Sequence, residues 1–75
     1  MKAFYEAEYL IEGYPGLAKE MKERFETELL RIAPEYRGRA KVTIHRGRLR
    51  LRILGRGDHE MAVQIVGLVE ARIGL

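Results

Sequence analysis

Residues 39–54 carry two runs of strict alternation around one glycine break, a pattern that a helix would scatter around its whole circumference. Ala40, Val42 and Ile44 alternate with Lys41, Thr43 and His45, and Leu49, Leu51 and Ile53 alternate with Arg48, Arg50 and Arg52. A period of two puts each set on one side of a strand. With Arg46 and Gly47 as the turn, Ile44 opposes Leu49, Val42 opposes Leu51 and Ala40 opposes Ile53, so all six apolar side chains share a face. A slip of one residue would bury arginines, which defines the register. Arg46 is not the Asn or Asp that a two-residue primed turn favours, and a wider loop with the same register is the alternative.

The rest of the chain supplies what such a hairpin needs to cover its apolar face. Tyr5, Ala7, Tyr9 and Ile11 alternate with Glu6, Glu8 and Glu12, which predicts a half-buried strand with its tyrosines inward. Gly13, Tyr14, Pro15 and Gly16 break it, and Pro15 suits the first turn of a helix. Leu17, Met21, Phe25, Leu29 and Ile32 then recur at helical spacing as one apolar stripe. The pairs Glu20–Arg24, Lys22–Glu26 and Arg24–Glu28 stand four apart and read as solvated ladders. Pro34 ends this helix, because it disfavours a helical Ala33 and cannot donate a hydrogen bond. Gly55, Arg56 and Gly57 end the last strand, and Asp58 is placed to cap a final helix whose core stripe is Ala62, Ile65, Val66, Val69 and Ile73. The order is β-α-β-β-α, and the expected fold is a two-layer α+β domain with a three-stranded sheet and two helices on one face. At 75 residues the chain makes a single domain, 1–75, with little surface to bury and marginal stability.

Charge is informative by its distribution. Residues 37–56 contain seven Arg and one Lys with no acid, although the whole chain is only +3. A local field of that size suits a polyanion or an acidic partner. Arg39, Lys41, Arg46, Arg48, Arg50, Arg52 and Arg56 are the candidate nucleic-acid or anion contacts. Phosphate contact without base reading is expected, since Tyr5 and Tyr9 point inward and leave the outer face without stacking aromatics. If the first strand lies beside residues 48–54, its glutamates pair with Arg50 and Arg52 and partly neutralise the patch.

Chemistry is poorly provided for. The sequence has no Cys, Ser, Asn or Trp, one Asp and two His, so thiolate catalysis, disulfides and cysteine zinc sites are excluded and an enzyme is not expected. His45 and His59 fall at opposite ends of the last strand, roughly 20 Å apart at about 3.3 Å per residue, so no metal or cofactor is expected. Gly13-Tyr14-Pro15-Gly16 formally matches the GXXG of KH domains but follows a strand, where that fold has it between helices. The turn at Gly55, Arg56 and Gly57 offers backbone amides to an anion, in competition with Asp58. No apolar run approaches the roughly 18 residues of a membrane span, and the N-terminus lacks a signal-peptide pattern, so a cytoplasmic protein without membrane contact is expected.

The final helix is too apolar for a solvated one. Beyond its core stripe it keeps Met61, Val63, Gly67, Leu68, Ala71 and Gly74, and Val63, Gly67 and Ala71 recur every four residues away from the core. A mid-helix Gly costs about 1 kcal/mol relative to Ala, so Gly67 points to close approach of a partner. The candidate protein interface is Glu60, Val63, Gln64, Gly67, Glu70 and Ala71.

These elements resemble the DNA-damage-inducible protein I family, small bacterial and phage-borne modulators of the RecA recombinase filament. The resemblance spans residues 5–73 and includes Leu17, Ala18, Lys19 and Glu20 opening the first helix, Ala33 and Pro34 closing it, Gly38 before the hairpin, and the core positions Val42 and Leu49. It implies a DNA-damage-response role, a RecA-type nucleoprotein partner and binding through the C-terminal helix, which here carries Asp58, Glu60 and Glu70. The preferred expectation is a protein-interaction module using that helix. The alternatives are a non-specific nucleic-acid-binding module using the arginine hairpin and a homodimeric structural domain.

Overall fold

The computed structural model describes residues 2–11 and 17–75. The break at Gly13, Tyr14, Pro15 and Gly16, its GXXG match and the outward Glu12 lie outside the described residues. The elements are β1 (Ala3–Leu10), α1 (Ala18–Ile32), β2 (Ala40–His45), β3 (Arg48–Leu54) and α2 (His59–Ile73), with a single 3-10 turn at Pro34–Tyr36. The order is β-α-β-β-α, a small α+β fold, with an antiparallel sheet arranged β1-β3-β2.

The hairpin has the expected register: Ile44 faces Leu49, Val42 faces Leu51 and Ala40 faces Ile53. Its turn is the tight two-residue form. Arg46 has φ 51° and Gly47 φ 75°, the two left-handed conformations of a primed turn, which Gly adopts freely and Arg only at some cost. Register and packing therefore override the turn chemistry at Arg46.

β3 is the central strand, and its Leu49, Leu51 and Ile53 are fully buried. Against them pack Phe25 and Leu29 from α1 and Ala62, Val66, Val69 and Ile73 from α2, all buried. α1 lies over β2, α2 lies over β1, and the two helices pack on each other. The other face of the sheet carries the charges. Asp58 caps α2 by accepting a bond from the Met61 amide at 3.2 Å, and Gly74 at φ 80° closes its C-terminus.

Three details depart from the expected pattern. Leu17 is 48 % exposed, because it stands ahead of the first helical turn, where helical periodicity no longer places side chains. Glu28 turns to Arg31 at 2.8 Å and to Arg72 of α2 at 3.5 Å instead of to Arg24, while Lys22–Glu26 forms at 3.1 Å. The Arg31 hydrogen bond, with the charges of Arg31 and Arg72, holds the Glu28 carboxyl below its ordinary range. Finally, the β1–β3 register shifts between Ala3 and Tyr5. The extra residue is Phe4, so both Phe4 and Tyr5 pack against the core.

Candidate functional site

Two surfaces emerge, on opposite sides of the molecule. The first is the open face of the sheet. Because β1 pairs with β3, Glu6 faces Arg52 and Glu8 faces Arg50 across the strands. Arg52 Nε meets Glu6 Oε1 at 2.8 Å, Arg48 Nη1 meets Glu8 Oε1 at 3.0 Å and Arg50 Nη2 stands 3.9 Å from Glu8 Oε2. Lys41, Thr43 and His45 of β2 continue the same face opposite Arg52, Arg50 and Arg48 and are exposed, as are Arg46 and the β3 arginines at positions 48 and 50. At the hairpin end the face is hollowed into a concavity of about 550 Å³ lined by Glu8, Thr43, His45, Arg46, Arg48 and Arg50.

Arg39 is not a free member of that face, and Arg56 is exposed beyond the end of β3. Arg39 donates from Nε to the Leu54 carbonyl at 2.9 Å and from Nη2 to the Arg56 carbonyl. Its guanidinium also lies over the rings of Phe4 and Tyr36, at 5.5 and 5.9 Å from their centroids. These contacts make Arg39 a clamp between the end of β3 and the 3-10 turn rather than a free phosphate contact. At the turn of Gly55, Arg56 and Gly57, the Gly55 amide donates to the Lys2 carbonyl at 2.8 Å and so is not free for an anion, and the Phe4 ring sits where a Cβ on Gly57 would be. Neither Phe4 nor the buried Tyr36 stood out in the sequence, since a bulge and a one-turn 3-10 segment have no periodicity.

The second surface is the outer side of α2. Glu60, Val63, Gln64, Gly67 and Ala71 are exposed, and nothing lies within 4 Å of a Cβ built on Gly67. Met61 at 52 %, Val63 at 47 % and Leu68 at 57 % are among the most exposed large apolar residues described. Glu70, the sixth expected interface residue, turns the other way. It is half-buried and accepts a hydrogen bond from the Tyr9 hydroxyl of β1, because α2 lies directly over that strand. His59, at the start of the helix, rests against Tyr5 with ring centroids 5.5 Å apart.

The Tyr9–Glu70 contact has a titration consequence. Burial, the Glu70 hydrogen bond and the Glu70 charge together push the Tyr9 hydroxyl well above its ordinary range, and burial followed by the Glu70 charge raises Tyr5 in the same direction. A raised folded-state pKa contributes stability that is complete below the unfolded value of about 10 and is lost as pH rises above it. The expected result is a plateau of stability through neutral pH and a fall in alkali. Tyr9→Phe should weaken that fall and cost about 1 kcal/mol at neutral pH through the lost bond to a carboxylate. Urea denaturation of both proteins between neutral pH and alkali checks this, and parallel profiles would contradict it.

Among the described residues no three His, Cys, Asp or Glu side chains gather to hold a metal, and no helix is long and apolar enough to cross a membrane. The fold and its surfaces define a small α+β domain with one charged and one apolar exposed face. Compared with known proteins, the chain matches no family model, and no curated protein or solved structure is significantly similar to it.

Proposed function

We propose that this protein is a protein-interaction module that docks through the outer face of α2, and that its partner is a RecA-type nucleoprotein complex, as the resemblance to the DNA-damage-inducible protein I family implies. The observation that carries the reading is the concentration of exposed apolar side chains on one helix. Met61, Val63 and Leu68 stand out from α2 around an unobstructed Gly67. Removing such side chains from water favours association by about 25 cal/mol per Å² before the costs of ordering, and a glycine lets a partner backbone approach. With Glu70 turned inward, the exposed carboxylate of this helix surface is Glu60. Binding is therefore led by apolar contact and changes little with salt.

The test is co-sedimentation with a RecA filament assembled on single-stranded DNA, alongside solution mass. The wild-type chain should sediment with the filament, and Gly67→Arg and Leu68→Glu should lose binding by at least tenfold with thermal stability retained, since both sites are exposed. Unaltered sedimentation of both variants would remove α2 from the interface. A wild-type mass of twice the chain that reverts to one chain in Gly67→Arg would assign the face to a second copy instead, and so overturn the filament reading in favour of a homodimer.

A further inference from the structure

The open face of the sheet is built around a row of arginines that the α2 surface does not involve. Arg48, Arg50 and Arg52 form one row along the central strand, with side chains 62, 60 and 42 % exposed. Alternate residues of a strand stand about 6.6 Å apart, close to the separation of successive phosphates along a polynucleotide. Lys41 lies beside this row, across from Arg52. On the other flank, the two carboxylates of Glu6 and Glu8 serve three guanidiniums, with Glu8 shared between Arg48 and Arg50. The face therefore keeps a surplus of positive charge. Each guanidinium has five N–H donors, and these contacts engage one nitrogen of each. Exposed ion pairs of this kind are weak, so a phosphate oxygen can take the place of a carboxylate.

We propose that this face binds the phosphodiester backbone of nucleic acid, with Arg48, Arg50 and Arg52 gripping successive phosphates and Glu6 and Glu8 acting as built-in competitors that keep the affinity low. Charge complementarity selects the occupant. Tyr5 and Tyr9 face the core on the other side of β1, so among the described residues no Tyr or Phe ring is offered along the arginine row, and contact led by phosphates is indifferent to base sequence. The helices occupy the opposite side of the sheet. Nucleic acid and an α2 partner can therefore be held at once, and failure of either reading leaves the other standing.

Fluorescence anisotropy with labelled single-stranded and duplex DNA of two unrelated sequences tests the proposal. The wild-type protein should bind both sequences equally and lose affinity steeply between about 50 and 200 mM salt, with a log–log slope of roughly −2 to −3 for three phosphates. The double variant Glu6→Gln with Glu8→Gln should bind roughly tenfold more tightly at low salt, the equivalent of about 1.4 kcal/mol. The triple variant Arg48→Gln, Arg50→Gln, Arg52→Gln should lose the salt-dependent binding while keeping the wild-type circular dichroism spectrum. Absence of binding by both the wild-type protein and the glutamine double variant would overturn the proposal, as would affinity unchanged in the triple variant. Binding of inorganic polyphosphate without binding of either DNA would overturn the assignment to nucleic acid.

Discussion

Leu51→Ala should destabilise the protein by about 2–5 kcal/mol, whereas Arg50→Ala, one position earlier on the same strand, should change stability by less than about 0.5 kcal/mol. Leu51 is fully buried in the middle of the central strand, between Ala7 of β1 and Val42 of β2, and its removal leaves a cavity bounded by both layers. Arg50 projects from the other face, and its nearest carboxylate is the exposed Glu8 at 3.9 Å. A 75-residue domain has roughly 4–11 kcal/mol of stability in all, so Leu51→Ala takes a large part of it. Leu51→Val, which removes one methylene, should cost about 1 kcal/mol and keeps the comparison measurable. Urea denaturation read by circular dichroism gives all three values, and equal costs at positions 50 and 51 would refute the assignment of faces.

Gly57→Ala and Gly67→Ala should act in opposite directions. A Cβ on Gly57 would run into Phe4 Cζ and stand 2.6 and 2.7 Å from the two Cε atoms. The ring cannot simply swing away, being packed against Tyr36 with centroids 6.1 Å apart and covered by Arg39. Relief therefore requires the bulge at Phe4 to shift, at a cost of about 1–3 kcal/mol. Gly67 has nothing within 4 Å of the new methyl and lies in mid-helix, so alanine there should stabilise by up to about 1 kcal/mol. Thermal denaturation of the two variants measures both effects, and a shared sign would contradict the packing described around Phe4.

The two surfaces differ in physical character, which makes them separable by experiment. The proposed contact through α2 is expected to be apolar and tolerant of salt. The proposed contact through the sheet face is expected to be ionic and to be weakened by it. A salt titration of Gly67→Arg and of the arginine triple variant, with filament in one arm and bare DNA in the other, distinguishes them, because substitutions on one face leave the side chains of the other untouched.

The features legible in the residue order are local and periodic. Alternation placed Leu49, Leu51 and Ile53 on one side of a strand and three arginines on the other, and a one-residue slip was forbidden by the cost of burying charge. Helical spacing likewise identified Phe25 and Leu29 in α1 and Ala62, Val66, Val69 and Ile73 in α2. The strand order belonged to the tertiary structure, because the Glu6 and Glu8 face of β1 is equally compatible with either edge of the hairpin until the helices are packed. That choice brought the glutamates onto the arginine row and placed α2 over Tyr9, drawing Glu70 inward. The bulge at Phe4, the 3-10 turn that buries Tyr36 and the diversion of Arg39 to backbone carbonyls were also decided there. Each depends on residues far apart in the chain meeting at one place, and the free energy of such a meeting leaves no repeat in the sequence from which it could be read.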